Sequence, residues 1–167
     1  MRVRSCPDVP TYLVAAWQWL CERRRMTWTG GVLTVGASDR ELDDRLSAEL
    51  TAFNIASTGQ GNQASMSIRA VDHAGELAGG LIGWTWATSA GIELLWVRED
   101  QRGSGLGRAL MAAAEQEARA RGCTQALVRS FSFQAPGFYR RLGYSEYART
   151  ENLPIEGHAD IHFRKDL

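Results

Sequence analysis

The feature that most constrains this chain is a glycine-punctuated loop between an apolar strand and a long helix. Residues Ile92 to Val97 read as a strand, Arg102-Gly103-Ser104-Gly105-Leu106-Gly107 as a loop, and Arg108 to Arg121 as an alanine-rich helix closed by Gly122. Glu115 with Arg119 and Glu117 with Arg121 support that helix as i,i+4 pairs. Its first turn leaves N–H groups without intrahelical partners, the helix dipole favours negative charge there, and glycines let a ligand approach the backbone. The loop therefore reads as an anion cradle, with Arg102 placed to add charge-assisted bonds to phosphate oxygens. A nucleoside-triphosphate loop would need Lys and then Ser or Thr after its last glycine, where Arg108 and Ala109 stand. A dinucleotide fingerprint would need a small residue in place of Arg108 and more βα units than can follow Arg129. The pyrophosphate of coenzyme A remains.

The rest of the sequence supplies a sheet for this unit. Val32 to Val35 is a first strand, and Ser38 with Glu41 forms a capping-box signature. A helix follows from about Asp39 to Phe53, its stripe Leu42, Leu46, Leu50 and Phe53. Polar residues from Ser57 to Gln63 form a loop. Three strands then alternate with turns: Ser65 to Ala70, Leu77 to Ala87 and, after Thr88-Ser89-Ala90-Gly91, Ile92 to Val97. Beyond the long helix, Thr124 to Arg129 is a strand reached by a crossover, hence parallel to its neighbour. A short helix with Pro136 in its first turn and Gly143 after its end leads to strands near Tyr144 to Arg149 and Ala159 to Arg164. The fold class is α/β with a mixed, mainly antiparallel sheet flanked by helices.

Composition narrows the partners. At 167 residues, 44% hydrophobic and 23% charged, the chain fits one globular domain. Basic and acidic residues balance at 19 each, so no overall field recruits nucleic acid or an anionic membrane. A small-molecule substrate is the default, and a homodimer is compatible with the sequence. Cys6, Cys21 and Cys123 have no Cys-x-x-Cys spacing, which fits a reducing compartment such as the cytoplasm and no metal site. The stretch Tyr12 to Leu20 is interrupted by Gln18 and followed by Cys21-Glu22-Arg23-Arg24-Arg25, so it reads as neither a secretion signal nor a membrane span. Residues 1–25 are set apart as an N-terminal extension, with a short helix over Thr11 to Arg25 its only structural reading. One globular domain is expected over 26–167.

Two motifs in order carry a family resemblance. Arg102-Gly103-Ser104-Gly105-Leu106-Gly107, preceded by Leu95-Trp96-Val97 and followed by Arg108 and the helix, resembles the acetyl-CoA signature Arg-x-x-Gly-x-Gly of the GNAT N-acetyltransferase superfamily. Ala135-Pro136-Gly137-Phe138-Tyr139-Arg140-Arg141-Leu142-Gly143-Tyr144 is similar to its second signature. The resemblance is strong from Glu93 to Tyr144 and weak elsewhere. It implies a central pair of strands that splay apart to admit acetyl-CoA, with the amine approaching from the other side. It also implies Tyr139 as the general acid for the departing thiol. Many members carry Asn where this chain has Ser132, so the coenzyme contact carried over to that position rests on a departure from the pattern.

The chemistry can be read beside the resemblance. An alkylamine with pKa near ~10.4 is mostly protonated in water and must lose a proton before it attacks a carbonyl. Glu93, at the start of an otherwise apolar strand, is the candidate base, its partial burial expected to raise its basicity. His158 is the rival base and a substrate-side candidate, as is Asn54, which reads equally as a helix cap. Trp84, Trp86, Trp96, Phe131 and Phe133 read as core. Two other functions stay open: a non-catalytic acyl-CoA-sensing module, and an acetyltransferase acting on aminoacyl-tRNA, which the zero net charge disfavours.

Overall fold

The computed structural model describes residues 24–167, which divide into two compact units, one ending at Phe53 and the other running from Asn54 to Leu167. The expected helix at Thr11 to Arg25 lies outside the described residues except for Arg24 and Arg25, which belong to a strand.

In the first unit β1 (Arg24–Trp28) pairs antiparallel with β2 (Gly31–Val35), so a hairpin crosses the boundary expected at Met26. Helix α1 (Arg40–Thr58) starts in this unit and ends in the next. Its cap is Asp39 rather than Ser38: Asp39 Oδ1 accepts the Leu42 N–H at 3.1 Å. The helix also runs past Phe53 to Thr58, whose hydroxyl donates to the Asn54 carbonyl at 2.6 Å. Asn54 is therefore a residue of the helix body and not its cap.

The second unit is built on a six-stranded sheet in the order β3-β4-β5-β6-β8-β7. Its strands are β3 (Ala64–Val71), β4 (Leu77–Trp86), β5 (Ser89–Val97), β6 (Gln125–Phe131), β7 (Ser145–Glu151) and β8 (Ala159–Asp166). Only β5 and β6 run parallel, as the crossover through α2 (Leu106–Ala120) requires. The turn from β4 to β5 is tighter than expected: Ala87, at φ 50°, and Thr88 suffice, and Ala90 and Gly91 lie buried inside β5. Helix α2 buries Leu110, Met111, Ala114, Glu115 and Ala118, a stripe at helical spacing. Met111 and Ala114 meet Ile92, Val128, Tyr139, Tyr144, Ile161 and Phe163 in the main core. Each large side chain buried there contributes roughly 1.5–3 kcal/mol. Glu115 lies in this layer because Lys165 Nζ reaches it at 2.8 Å and the Tyr144 hydroxyl donates to it at 3.1 Å. Burial and that carboxylate push the Tyr144 phenol well above its ordinary range. The pair fixes α2 against β8, and with it the helix start at the mouth of the sheet.

Candidate active site

The β5–β6 pair holds only over its first half. Ser89, Ala90, Gly91 and Ile92 register with Gln125, Ala126, Leu127 and Val128; beyond them the strands no longer pair. A bulge in the β4–β5 ladder lies at the same level, where Ile82 pairs with Leu94 and Gly83 with Ile92. Glu93 is the extra residue, without a register partner on either side. Past this point the strands open into a cleft of about 650 Å³, lined by Glu93, Leu95, Trp96 and Val97 from β5 and Val128, Arg129 and Ser130 from β6.

The glycine loop closes one end of the cleft. Gly103 and Gly105 have φ of 79° and 94°, in the left-handed region that favours glycine. Gly105 is the N-cap of α2. Ser104 folds back, its hydroxyl donating to the Gln101 carbonyl at 2.7 Å and accepting the Leu106 N–H at 3.3 Å. Among the described residues, the N–H groups of Gly105, Gly107 and Arg108 have no protein partner. Gly103, Gly105, Gly107, Arg102, Arg108 and Arg141 line the cleft, so donors and cations converge as a pyrophosphate requires. Ser104 and Leu106 shape the loop without lining the cleft. Before the loop, Arg98 bonds Asp72 at 2.9 Å and Asp100 at 2.6 Å, and its guanidinium holds both carboxyls below their usual range. That clamp ties the end of β5 to the turn before β4.

Helix α3 (Pro136–Arg141) supplies the opposite wall. Phe138 packs on Gly107, where a Cβ would come within 3.4 Å of its ring. Tyr139 is buried against Phe138, Tyr144 and Phe163, and it lines the cleft. Its hydroxyl has no hydrogen-bond partner among the described residues, whereas that of Tyr144 is committed to Glu115. Burial raises the Tyr139 phenol above its ordinary value, keeping it a proton donor at neutral pH.

The remaining sequence candidates fall differently. Glu93 lines the cleft but is exposed, so the burial expected of it is absent. The bulge turns both Glu93 and Leu94 outward, which strict alternation could not foresee. Ser132 does not line the cleft; its hydroxyl accepts the Ala159 N–H at 3.0 Å and lies 3.3 Å from His158 Nδ1. Ser130, two residues earlier, is the serine at the cleft wall. Neither His158 nor Asn54 lines the cleft. The aromatic residues expected in the core also divide: Trp84, Trp86 and Phe131 are half-buried, while Trp96 and Phe133 are exposed. A group missed from sequence is Asp160, buried beside Arg129 Nε at 3.5 Å and His162 Nε2 at 3.4 Å. Asp160 and His162 lie two residues apart on β8, but Arg129 comes from β6, with no shared motif to signal the group.

Comparison with known proteins follows the same outline. The acetyltransferase (GNAT) family model matches residues 16–144. An acetyltransferase of Agrobacterium fabrum is 32% identical over 109 residues, covering 65% of this chain and 80% of that protein. The blasticidin-S acetyltransferase of Streptomyces morookaense is 48% identical over 84 residues, 48% of this chain; the chain spans 60% of that relative's length. The crystal structure of an acetyltransferase from Bacillus cereus superposes with a TM-score of 0.68 at 30% identity, covering 80% of this chain and 96% of that one.

Proposed function

Because the chain belongs to the GNAT acetyltransferase family, we propose that it moves an acetyl group from acetyl-CoA to a primary amine of a small molecule, by direct attack within a ternary complex. The observation that carries this reading is that the glycine loop, Glu93 and Tyr139 line one cleft. The free N–H groups of the loop, with Arg102 and Arg108, would hold the pyrophosphate. Leu95, Trp96 and Val97, which line the cleft, would flank its flexible arm. Acetyl-CoA supplies an electrophilic thioester carbonyl and a thiol leaving group.

The chain's own task is proton management. Glu93, exposed at the bulge, can receive a proton from an incoming ammonium and leave a neutral amine. Tyr139 holds a proton at its hydroxyl for the departing sulfur, and its buried site keeps that proton in place. A thiol with pKa near ~8.5 already leaves fairly well, so the acid contributes at most the lower part of the usual ~10²–10⁴-fold. The blasticidin-S relative supports a small-molecule acceptor. The balanced charge of the chain supports it over an RNA-borne one.

The test is a panel of small primary amines with acetyl-CoA, read as free thiol. Amine-dependent thiol release is expected. Acetyl-CoA binding without release from any amine would favour a sensing module instead.

A further inference from the structure

Strand alternation puts Ala126, Val128 and Ser130 on the buried face of β6, towards α2, and Leu127, Arg129 and Phe131 on the other. The second set continues past the strand. The rings of Phe131 and Phe133 stack with centroids 5.3 Å apart and planes 11° apart, and the Arg129 guanidinium lies over the Phe131 ring at 5.3 Å. Arg129 itself lines the cleft, so the row begins at the cleft wall and runs outward. Its last member, Phe133, is 52% exposed.

This exposed ring is held by a braced loop. The Phe131 N–H donates to Gln134 Oε1 at 2.9 Å, the Gln134 N–H to the Phe131 carbonyl at 2.9 Å, and the Ser132 N–H to the Ala159 carbonyl at 2.8 Å. Ser132 Oγ accepts the Ala159 N–H at 3.0 Å and lies 3.3 Å from His158 Nδ1, within hydrogen-bond distance of that ring. The His158 ring then meets Phe133 at 5.1 Å and 82°. Beneath the row, Asp160 is in register with Phe131 and buried, its Oδ1 3.5 Å from Arg129 Nε and without a hydrogen-bond partner among the described residues.

Glu93 belongs to the same face. Ile92 registers with Val128 and shares its buried side, whereas the bulge turns Glu93 outward, and Glu93 and Arg129 line the same cleft. Resting on the acetyltransferase reading, we propose that Arg129, Phe131 and Phe133 form an acceptor subsite for a flat conjugated ring. The ring stacks on Phe133, and the amine, carried on a flexible arm, reaches Glu93. Arg129 and Phe131 stiffen the platform, and His158 sets the tilt of its last ring. The acceptor class is thus an amine tethered to a planar ring, as opposed to a purely aliphatic or puckered one. Stacking favours flat over puckered partners beyond the apolar area buried, by about three- to tenfold in affinity.

The experiment uses the full chain and a matched pair, 4-phenylbutylamine and 4-cyclohexylbutylamine, which share the arm and differ in the ring, flat and aromatic in one, puckered and saturated in the other. Coenzyme A is titrated first by calorimetry, and each amine is then titrated into the saturated protein. The phenyl amine is expected to bind about three- to tenfold more tightly. Phe133→Leu, which keeps apolar bulk, should bring the ratio near one, and Phe133→Trp should preserve or raise it. Equal binding, preference for the cyclohexyl amine, no binding of the phenyl amine, or a preference that survives Phe133→Leu would each overturn the proposal. Failure of coenzyme A to bind would be seen separately, in the first titration, and would overturn the donor reading on which this one rests.

Discussion

The two halves of β5 do opposite work. From Ser89 to Ile92 the strand is paired on both sides and mostly buried, with no room for an added atom. A Cβ on Gly91 would overlap the indole of Trp84, its partner across the ladder, and one on Gly83, which pairs with Ile92, would overlap the Gly91 carbonyl. From Glu93 to Val97 pairing with β6 is absent and the side chains border a cleft. The bulge at Glu93 divides the halves. A sheet can therefore carry a binding site in its middle if one half of a strand pair fixes the geometry and the other half gives up its hydrogen bonds to a ligand.

The sharpest way to break this contrast is to load the tight half. Gly83→Ala should cost about 3 kcal/mol or more, since the obstacle is backbone and cannot rotate away. Chemical denaturation should show a largely unfolded protein or a greatly lowered midpoint. A stable Ala variant would mean that the tight half is not tight.

Substitutions at the cleft that the open half borders should leave the fold intact and act on turnover. Tyr139→Phe is expected to lower kcat roughly ten- to a hundredfold, with the KM for acetyl-CoA little changed. Because burial raises the Tyr139 phenol, the alkaline loss of activity assigned to it should begin above its ordinary value of about 10. Unchanged turnover in the Phe variant would leave Tyr139 as a packing residue. A smaller effect is expected of Glu93→Gln, a loss of about tenfold near neutral pH that shrinks as the medium deprotonates the amine. A loss independent of pH would make Glu93 a positioning group, and the same pH-dependent loss from His158→Ala alone would move the base there.

The same division explains what could be read from the sequence. The loop from Arg102 to Gly107 and helix α2 were legible because glycines at positive φ and an i,i+4 helix are local properties, visible within a few residues. Tyr139 was singled out only through its motif, and the structure adds that it is buried at the cleft wall. The exposure of Glu93 was not legible, because the bulge is set by registers with β4 and β6 and not by β5's own alternation. Nor was the partnership of Ser132 with His158, which joins the end of β6 to the loop before β8. The cap at Asp39 in place of Ser38 is a local miss between adjacent residues of equal capping ability.

The claim at the centre is that the open half of β5 and the glycine loop hold the acetyl donor, and calorimetric titration of acetyl-CoA into the wild type and Gly105→Asp tests it most directly. Gly105 sits at φ 94° with open space around its Cβ position, so Asp there costs backbone strain of about 1–2 kcal/mol and puts a carboxylate where a phosphate would lie. One-site binding by the wild type and no detectable binding by the variant are expected, with the variant's melting transition lowered by only a few degrees. Equal affinity in the two folded proteins would contradict it.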